Sequence, residues 1–214
     1  MAQDAAQTKD FDTDAALECT GLGCVRGGRM LFRGVSFALT GGEALHVTGP
    51  NGLGKSSLIR VLAGLLPAYA GEVKTTGRMA LADEKVALDP GQPLARALSH
   101  WTRLDGSADA DIAGAMAAVD LPHLADVPVR FLSTGQRKRA LLARISLSRA
   151  PIWLLDEPAN GLDTASIARL GTLMAAHRAN GGIVLAASHQ PLPLDGARTL
   201  PLADFVPAAV DEPA

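Results

Sequence analysis

The sequence predicts an α/β fold: a parallel sheet with crossover helices, an N-terminal antiparallel β layer and a helical subdomain inserted at about 84–135. Three observations predict it. An apolar run, Ala44-Leu45-His46-Val47, leads into Gly49-Pro50-Asn51-Gly52-Leu53-Gly54-Lys55-Ser56-Ser57, which opens a helical apolar pattern. Short apolar runs then alternate with helical periodicity, as parallel strands joined by crossovers do. Between 84 and about 128 the texture changes to Ala-rich helical segments broken by Gly and Pro.

In chain order, residues 16–19 and 30–39 read as short strands separated by a glycine-rich turn containing Gly21, Gly23, Gly27 and Gly28. In the second, Val35, Phe37 and Leu39 alternate with Ser36 and Ala38, the period of a half-buried strand. Residues 43–48 form the strand that feeds the glycine loop. Leu58, Ile59, Val61, Leu62, Leu65 and Leu66 then mark a helical face that stops before Pro67. Residues 71–73 and 79–81 are further short strands, and 93–104 and 108–119 are the helices of the inserted segment. A helix over 136–147, a buried strand over 152–155, a helix over 163–178 and a strand over 183–187 follow. The remainder is short and Pro-rich. The domain is expected over 16–205, with a disordered leader at 1–15 and a flexible tail at 206–214.

Bulk properties bound the function. In 214 residues, a hydrophobic fraction of 48% is ample for a buried core. A net charge of −2 and an aromatic content of 4% argue against a nucleic-acid partner, which calls for a basic footprint or stacking platforms. The two cysteines, Cys19 and Cys24, are too few for a zinc site and fit a reducing compartment. The first fourteen residues carry four aspartates and one lysine and have no apolar core of a signal peptide. No apolar run approaches a membrane span. These features together predict a soluble cytoplasmic domain.

The chemistry starts at the glycine loop. Gly-x-x-x-x-Gly-Lys-Ser between a strand and a helix lets successive backbone N–H groups converge on phosphate oxygens, and the helix adds its positive end. Lys55 reaches the β- and γ-phosphates, and the Ser56 hydroxyl ligates Mg²⁺. The apolar strand Ile152-Trp153-Leu154-Leu155 ends in Asp156 and Glu157 at the edge where α/β sheets bind ligands. Asp156 is placed to hold Mg²⁺, and Glu157 to orient and polarise an attacking water. Ser133, in Leu132-Ser133-Thr134-Gly135-Gln136, is a helix N-cap residue whose helix start offers donors to an anion.

The order of Gly49–Ser56, Leu132–Gln136, Leu154–Glu157, Asn160-Gly161-Leu162-Asp163 and His189 resembles the ATP-binding cassette family over most of the chain. The resemblance implies a P-loop NTPase core, ATP and Mg²⁺ as ligands, and a head-to-tail pair. In that pair Ser133, Thr134, Gly135 and Gln136 of one copy close on the nucleotide held by Lys55 of the other, with Asp163 at the seam. His189, after the strand over 183–187, matches the switch histidine that contacts the γ-phosphate. The other histidines (His46, His100, His123 and His177) are read as ordinary structural or surface residues.

Three positions depart from the family pattern. Thr134 replaces a signature glycine. Arg26 stands where an aromatic stacks on adenine, and a guanidinium plane can also stack on a base. For the loop that senses Mg²⁺ and the membrane partner the candidates are Glu84 and, further on, Gln92. Cys24-Val25-Arg26, Arg29-Met30-Leu31-Phe32, Gly181-Gly182-Ile183-Val184 and Ser188-His189-Gln190-Pro191-Leu192 resemble the heme-exporter ATP-binding subunits of bacterial cytochrome c maturation. This implies ATP hydrolysis on the cytoplasmic side of the inner membrane, driving integral membrane subunits that handle heme or release a heme chaperone. The helical subdomain near Leu94 to Trp101 is expected to dock a cytoplasmic helix of those subunits, with Leu98 and Trp101 as the contact residues. The alternatives are another ABC transporter's subunit, a soluble cassette ATPase, and a degenerate nucleotide-binding regulator.

Overall fold

The computed structural model describes residues 14–83, 87–107 and 110–207. The elements in chain order are β1 (Ala16–Arg26), β2 (Arg29–Thr40), β3 (Ala44–Thr48), α1 (Lys55–Leu62), β4 (Ala70–Thr76), β5 (Met79–Ala82), α2 (Leu94–Leu104), α3 (Ile112–Ala118), α4 (Thr134–Leu147), β6 (Ile152–Asp156), α5 (Thr164–Ala179), β7 (Ile183–Ser188) and β8 (Arg198–Pro201). Two sheets result. β2-β1-β4 is antiparallel, and β5-β6-β7-β3-β8 is parallel.

The expected glycine-rich turn between two short N-terminal strands is corrected. β1 runs on through Gly21 and Gly23, and only Gly27-Gly28 turns the hairpin. The glycines inside β1 coincide with register shifts between Cys19, Leu22 and Cys24, so they bend a continuous strand instead of ending it. α1 also stops earlier than its apolar pattern. The helix ends at Leu62, Gly64 adopts φ 70, and Leu65 is left exposed. The region after 194 adds β8, an edge strand beside β3 that the Pro-rich sequence did not suggest; Pro201 sits at its end, where a missing donor costs little.

The parallel sheet is buried on both faces, which is why β6 and β7 are fully buried apolar runs rather than alternating ones. Leu155, Val184 and Ala186 face a core shared with α2, α4 and α5, where Leu98, Ile145, Leu170 and Met174 pack. Leu154, Leu185 and Ala187 face the opposite core, filled by α1 and the antiparallel sheet through Ile59, Leu58, Leu17 and Phe32. Cys19 and Cys24 are free thiols buried in that second core; burial pushes Cys19 up to about 11, so both act as packing groups. In the first core His177 stacks on Trp153 with ring centroids 3.9 Å apart. Among the described residues no helix is long and apolar enough to cross a membrane.

Candidate nucleotide-binding site

The site forms where β3, β6 and β7 end side by side. The loop after β3 enters α1 through Gly54 at φ 112, a backbone conformation L side chains rarely adopt. A Cβ there would also lie 3.2 Å from Leu31 Cβ. No side chain caps α1 and its first turn holds no acidic residue, so its leading N–H groups remain available to an anion. Lys55 is only 4% exposed. Its ammonium donates to the carbonyls of Gly49 (2.9 Å) and Pro50 (3.1 Å), which fold the loop around it.

The carboxylates arrive from β6. Ser56 Oγ donates to Asp156 Oδ1 at 3.0 Å, joining the helix start to the strand end. The next residue, Glu157, adopts φ 46, and its N–H donates to Ala187 O at 2.8 Å. This left-handed turn breaks the strand's alternation. It brings the Glu157 carboxylate against Lys55 Nζ (3.1 Å) and His189 Nδ1 (2.9 Å). Burial works to raise the Glu157 carboxyl, but the hydrogen bonds from Lys55 and His189 outweigh it and hold the group below the ordinary carboxylate range. Gln190 places its side-chain amide 3.2 Å from the other His189 nitrogen and its N–H on Ser188 Oγ. A cavity of about 330 Å³ opens over Gly52, Lys55, Ser56 and Glu157.

Thus residues 49–57, Asp156, Glu157 and His189 converge as the sequence suggests. Ser133, Thr134, Gly135 and Gln136 lie elsewhere, at the start of α4. Ser133 closes a capping box there, accepting from Gln136 N while Gln136 Oε1 accepts from Ser133 N. Asp163 caps α5 by accepting from Ser166 N at 2.7 Å, a bond that holds its carboxyl low. Arg26 is exposed at the end of β1, opposite Arg29 across the hairpin. Glu84 lies outside the described residues. Gln92 lines a separate depression with Asp89, Arg96 and His100. Leu98 corrects a docking expectation: it is fully buried under α2, because Leu94, Ala97 and Leu98 form that helix's core face. Trp101 is half-buried, donates Nε1–H to Ala87 O and carries the Arg144 guanidinium 4.7 Å over its ring.

Two residues escaped the sequence reading. Leu31, from β2, walls the cavity beside Gly54, and nothing in its local pattern signals this. Asn160 also lines the cavity. It was visible only as the first residue of Asn160-Gly161-Leu162-Asp163.

A phosphate loop, two strand-end carboxylates and a histidine on the next strand define a P-loop nucleotide hydrolase. The ABC transporter family model matches residues 32–160, and the chain belongs to that family as one of its ABC ATPase domains. A cytochrome c biogenesis ATP-binding export protein CcmA from Zymomonas mobilis is 52% identical over 193 residues, covering 90% of this chain and 87% of the relative. The protein of the same name from Sphingopyxis alaskensis is 56% identical over 173 residues, covering 81% and 89%. Among solved structures, an ABC transporter ATP-binding protein from Pyrococcus furiosus shares the fold with a TM-score of 0.79 at 20% identity, covering 90% of this chain and all of that one. A metal-chelate type ABC transporter in an inward-facing conformation matches with a TM-score of 0.73 at 25% identity, covering 88% of this chain and 80% of that one.

Proposed function

We propose that this chain hydrolyses ATP as the nucleotide-binding subunit of an ABC complex serving cytochrome c biogenesis, at the cytoplasmic face of the inner membrane. The observation that carries the ATPase reading is the chain of contacts Lys55–Glu157–His189 above the phosphate loop. The biogenesis role is supported by relatives of that name at 49–56% identity over most of the chain. The work would be heme export or release of a heme chaperone by the integral membrane subunits. The functional domain spans about 16–205.

Loop N–H groups from 51–55 and the Lys55 ammonium bind the β- and γ-phosphates. Ser56 and Asp156 offer hard oxygen donors 3.0 Å apart, a donor set that fits Mg²⁺ completed by phosphates and waters. When bound, that ion neutralises charge on the β- and γ-oxygens. Glu157 takes a proton from the attacking water as its oxygen bonds the γ-phosphorus, the bond to the β-phosphate oxygen breaks, and ADP leaves. His189 orients Glu157 and faces the γ-phosphate. Because Lys55 and Glu157 hold each other, the incoming phosphate takes over Lys55 and frees Glu157 for water. Ser133, Thr134, Gly135 and Gln136 of a second, head-to-tail copy close the site, with Asp163 at the seam. The membrane subunits dock on the helical subdomain, on the exposed side of α2 that carries Arg96, His100 and Arg103.

Glu157→Gln is expected to lower kcat by about 10²–10⁴-fold while ATP still binds, measured as phosphate release beside nucleotide retention. Turnover at the wild-type rate would remove Glu157 from its role. A pull-down from detergent-solubilised membranes tests the assembly: integral membrane proteins and co-purifying heme absorbance are expected. Recovery of the chain alone would overturn the membrane-complex reading.

A further inference from the structure

We infer that Phe131 of one copy stacks on the base of the nucleotide held by the phosphate loop of the other, supplying the aromatic face that Arg26 does not. The inference rests on the head-to-tail pairing proposed above and assigns that pairing a second contact, to the base rather than the phosphates.

The chain has only five Phe, one Tyr and two Trp, and Phe131 is 67% exposed, the most exposed of its large hydrophobic side chains among the described residues. Leaving a ring of this size in water forgoes about 1.5–3 kcal/mol of burial, so its position calls for a reason. The backbone supplies one. Leu132 (φ −68, ψ 139) and Ser133 (φ −63, ψ 167) are both extended. Phe131 itself closes a 3-10 turn just before them, so it is the burial pattern that puts it on the same face as Ser133. Leu132 points inward and is 3% exposed, while Phe131 and Ser133 both face solvent. Their Cα atoms are separated by roughly 7 Å, twice the rise of an extended residue. If the Ser133 hydroxyl meets a terminal phosphate, the adjoining ring stands within reach of the same nucleotide.

The ring is also held. The backbone N–H of Phe131 donates to Pro128 O, and the Arg130 guanidinium covers one face of the ring at 4.8 Å, leaving the other face open. On the receiving side, a second cavity of about 350 Å³ adjoins the phosphate loop at Asn51, Gly52 and Leu53 and is walled by Arg29, Met30 and Leu31. Its described lining has aliphatic contact for one face of a base and no aromatic ring. Phe131 of the second copy would supply the ring this lining lacks, and stacking on it would favour purines, whose larger π-face overlaps more of the ring.

The test uses the full chain in the Glu157→Gln background, following dimerisation by sedimentation velocity against ATP and, separately, UTP. Phe131→Ala is expected to raise the ATP midpoint roughly tenfold and the UTP midpoint by much less, narrowing the preference for ATP. Phe131→Tyr should restore both midpoints, and thermal unfolding of both variants should match the parent because the ring is exposed. Equal shifts for ATP and UTP, or none, with the dimer still forming, would overturn the role of Phe131 and leave the pairing intact. No nucleotide-driven dimer with Phe131 in place would instead overturn the pairing, and this inference with it.

Discussion

Two helices begin at the two nucleotide motifs, and they begin in opposite ways. α1 enters through Gly54, which has no side chain to occupy the leading donors. α4 enters through Ser133, whose Oγ accepts from Gln136 N at 3.2 Å while Gln136 Oε1 accepts from Ser133 N at 2.8 Å. The first start is left open for an anion. The second is closed on itself and rigid, yet the Ser133 hydroxyl keeps its own proton to donate outward. In the head-to-tail pairing proposed above, one end receives the nucleotide and the other presents a preformed group to it.

The difference can be broken most severely at Gly54. Gly54→Val forces a β-branched residue to φ 112 against Leu31, and is expected to cost roughly 2 kcal/mol of stability. It should also reduce turnover by at least about a hundredfold, because in the mechanism proposed above the donors it displaces bind the transferring phosphate. Thermal unfolding and phosphate release measure the two effects; undiminished turnover would mean that the start of α1 is not the anion site. At the other end, Ser133→Ala removes the cap for about 1 kcal/mol, and Ser133→Gly for only a few tenths. Both should lower turnover by about tenfold or more, because both delete the hydroxyl. If Ser133→Gly restores turnover along with stability, Ser133 is a cap and nothing else.

The smallest effect is in acid. The Glu157 carboxyl is held low in the folded state, so its contribution is fully present above the unfolded value of about 4.3 and is lost as pH falls through the folded one. Glu157→Gln should therefore flatten the loss of stability below about pH 4.3, read as urea midpoints against pH. Ser133→Ala, at a neutral cap, should leave that slope unchanged. Equal slopes for both variants would show that the Lys55–Glu157 contact adds nothing to acid sensitivity.

Much of this was legible in the sequence, and for identifiable reasons. The phosphate loop, β6 with its two carboxylates and β7 leading to His189 are carried by local pattern, because strands buried on both faces must be unbroken apolar runs. The capping box is local too: Ser133 and Gln136 are three residues apart. What stayed hidden depended on distant partners. Glycines within β1 read as a turn because β4, which pairs the strand's other edge on past Gly21, is remote in sequence. β8 is short and polar at Arg198 and Thr199, and exists because β3 offers it an edge. Leu98 looked free to dock because helical periodicity does not say which face meets the core. Leu31 reaches the cavity only through the way the antiparallel sheet packs on the loop.

The left-handed backbone of Glu157 carries a consequence for what else could stand at this position. A glutamate at φ 46 holds a conformation that costs about 1–2 kcal/mol and that glycine or asparagine accepts more readily. Lys55 would keep its two carbonyl partners after either exchange. Against that strain stand the contacts to Lys55 and His189, so either exchange relieves the backbone and leaves a buried ammonium without the carboxylate beside it.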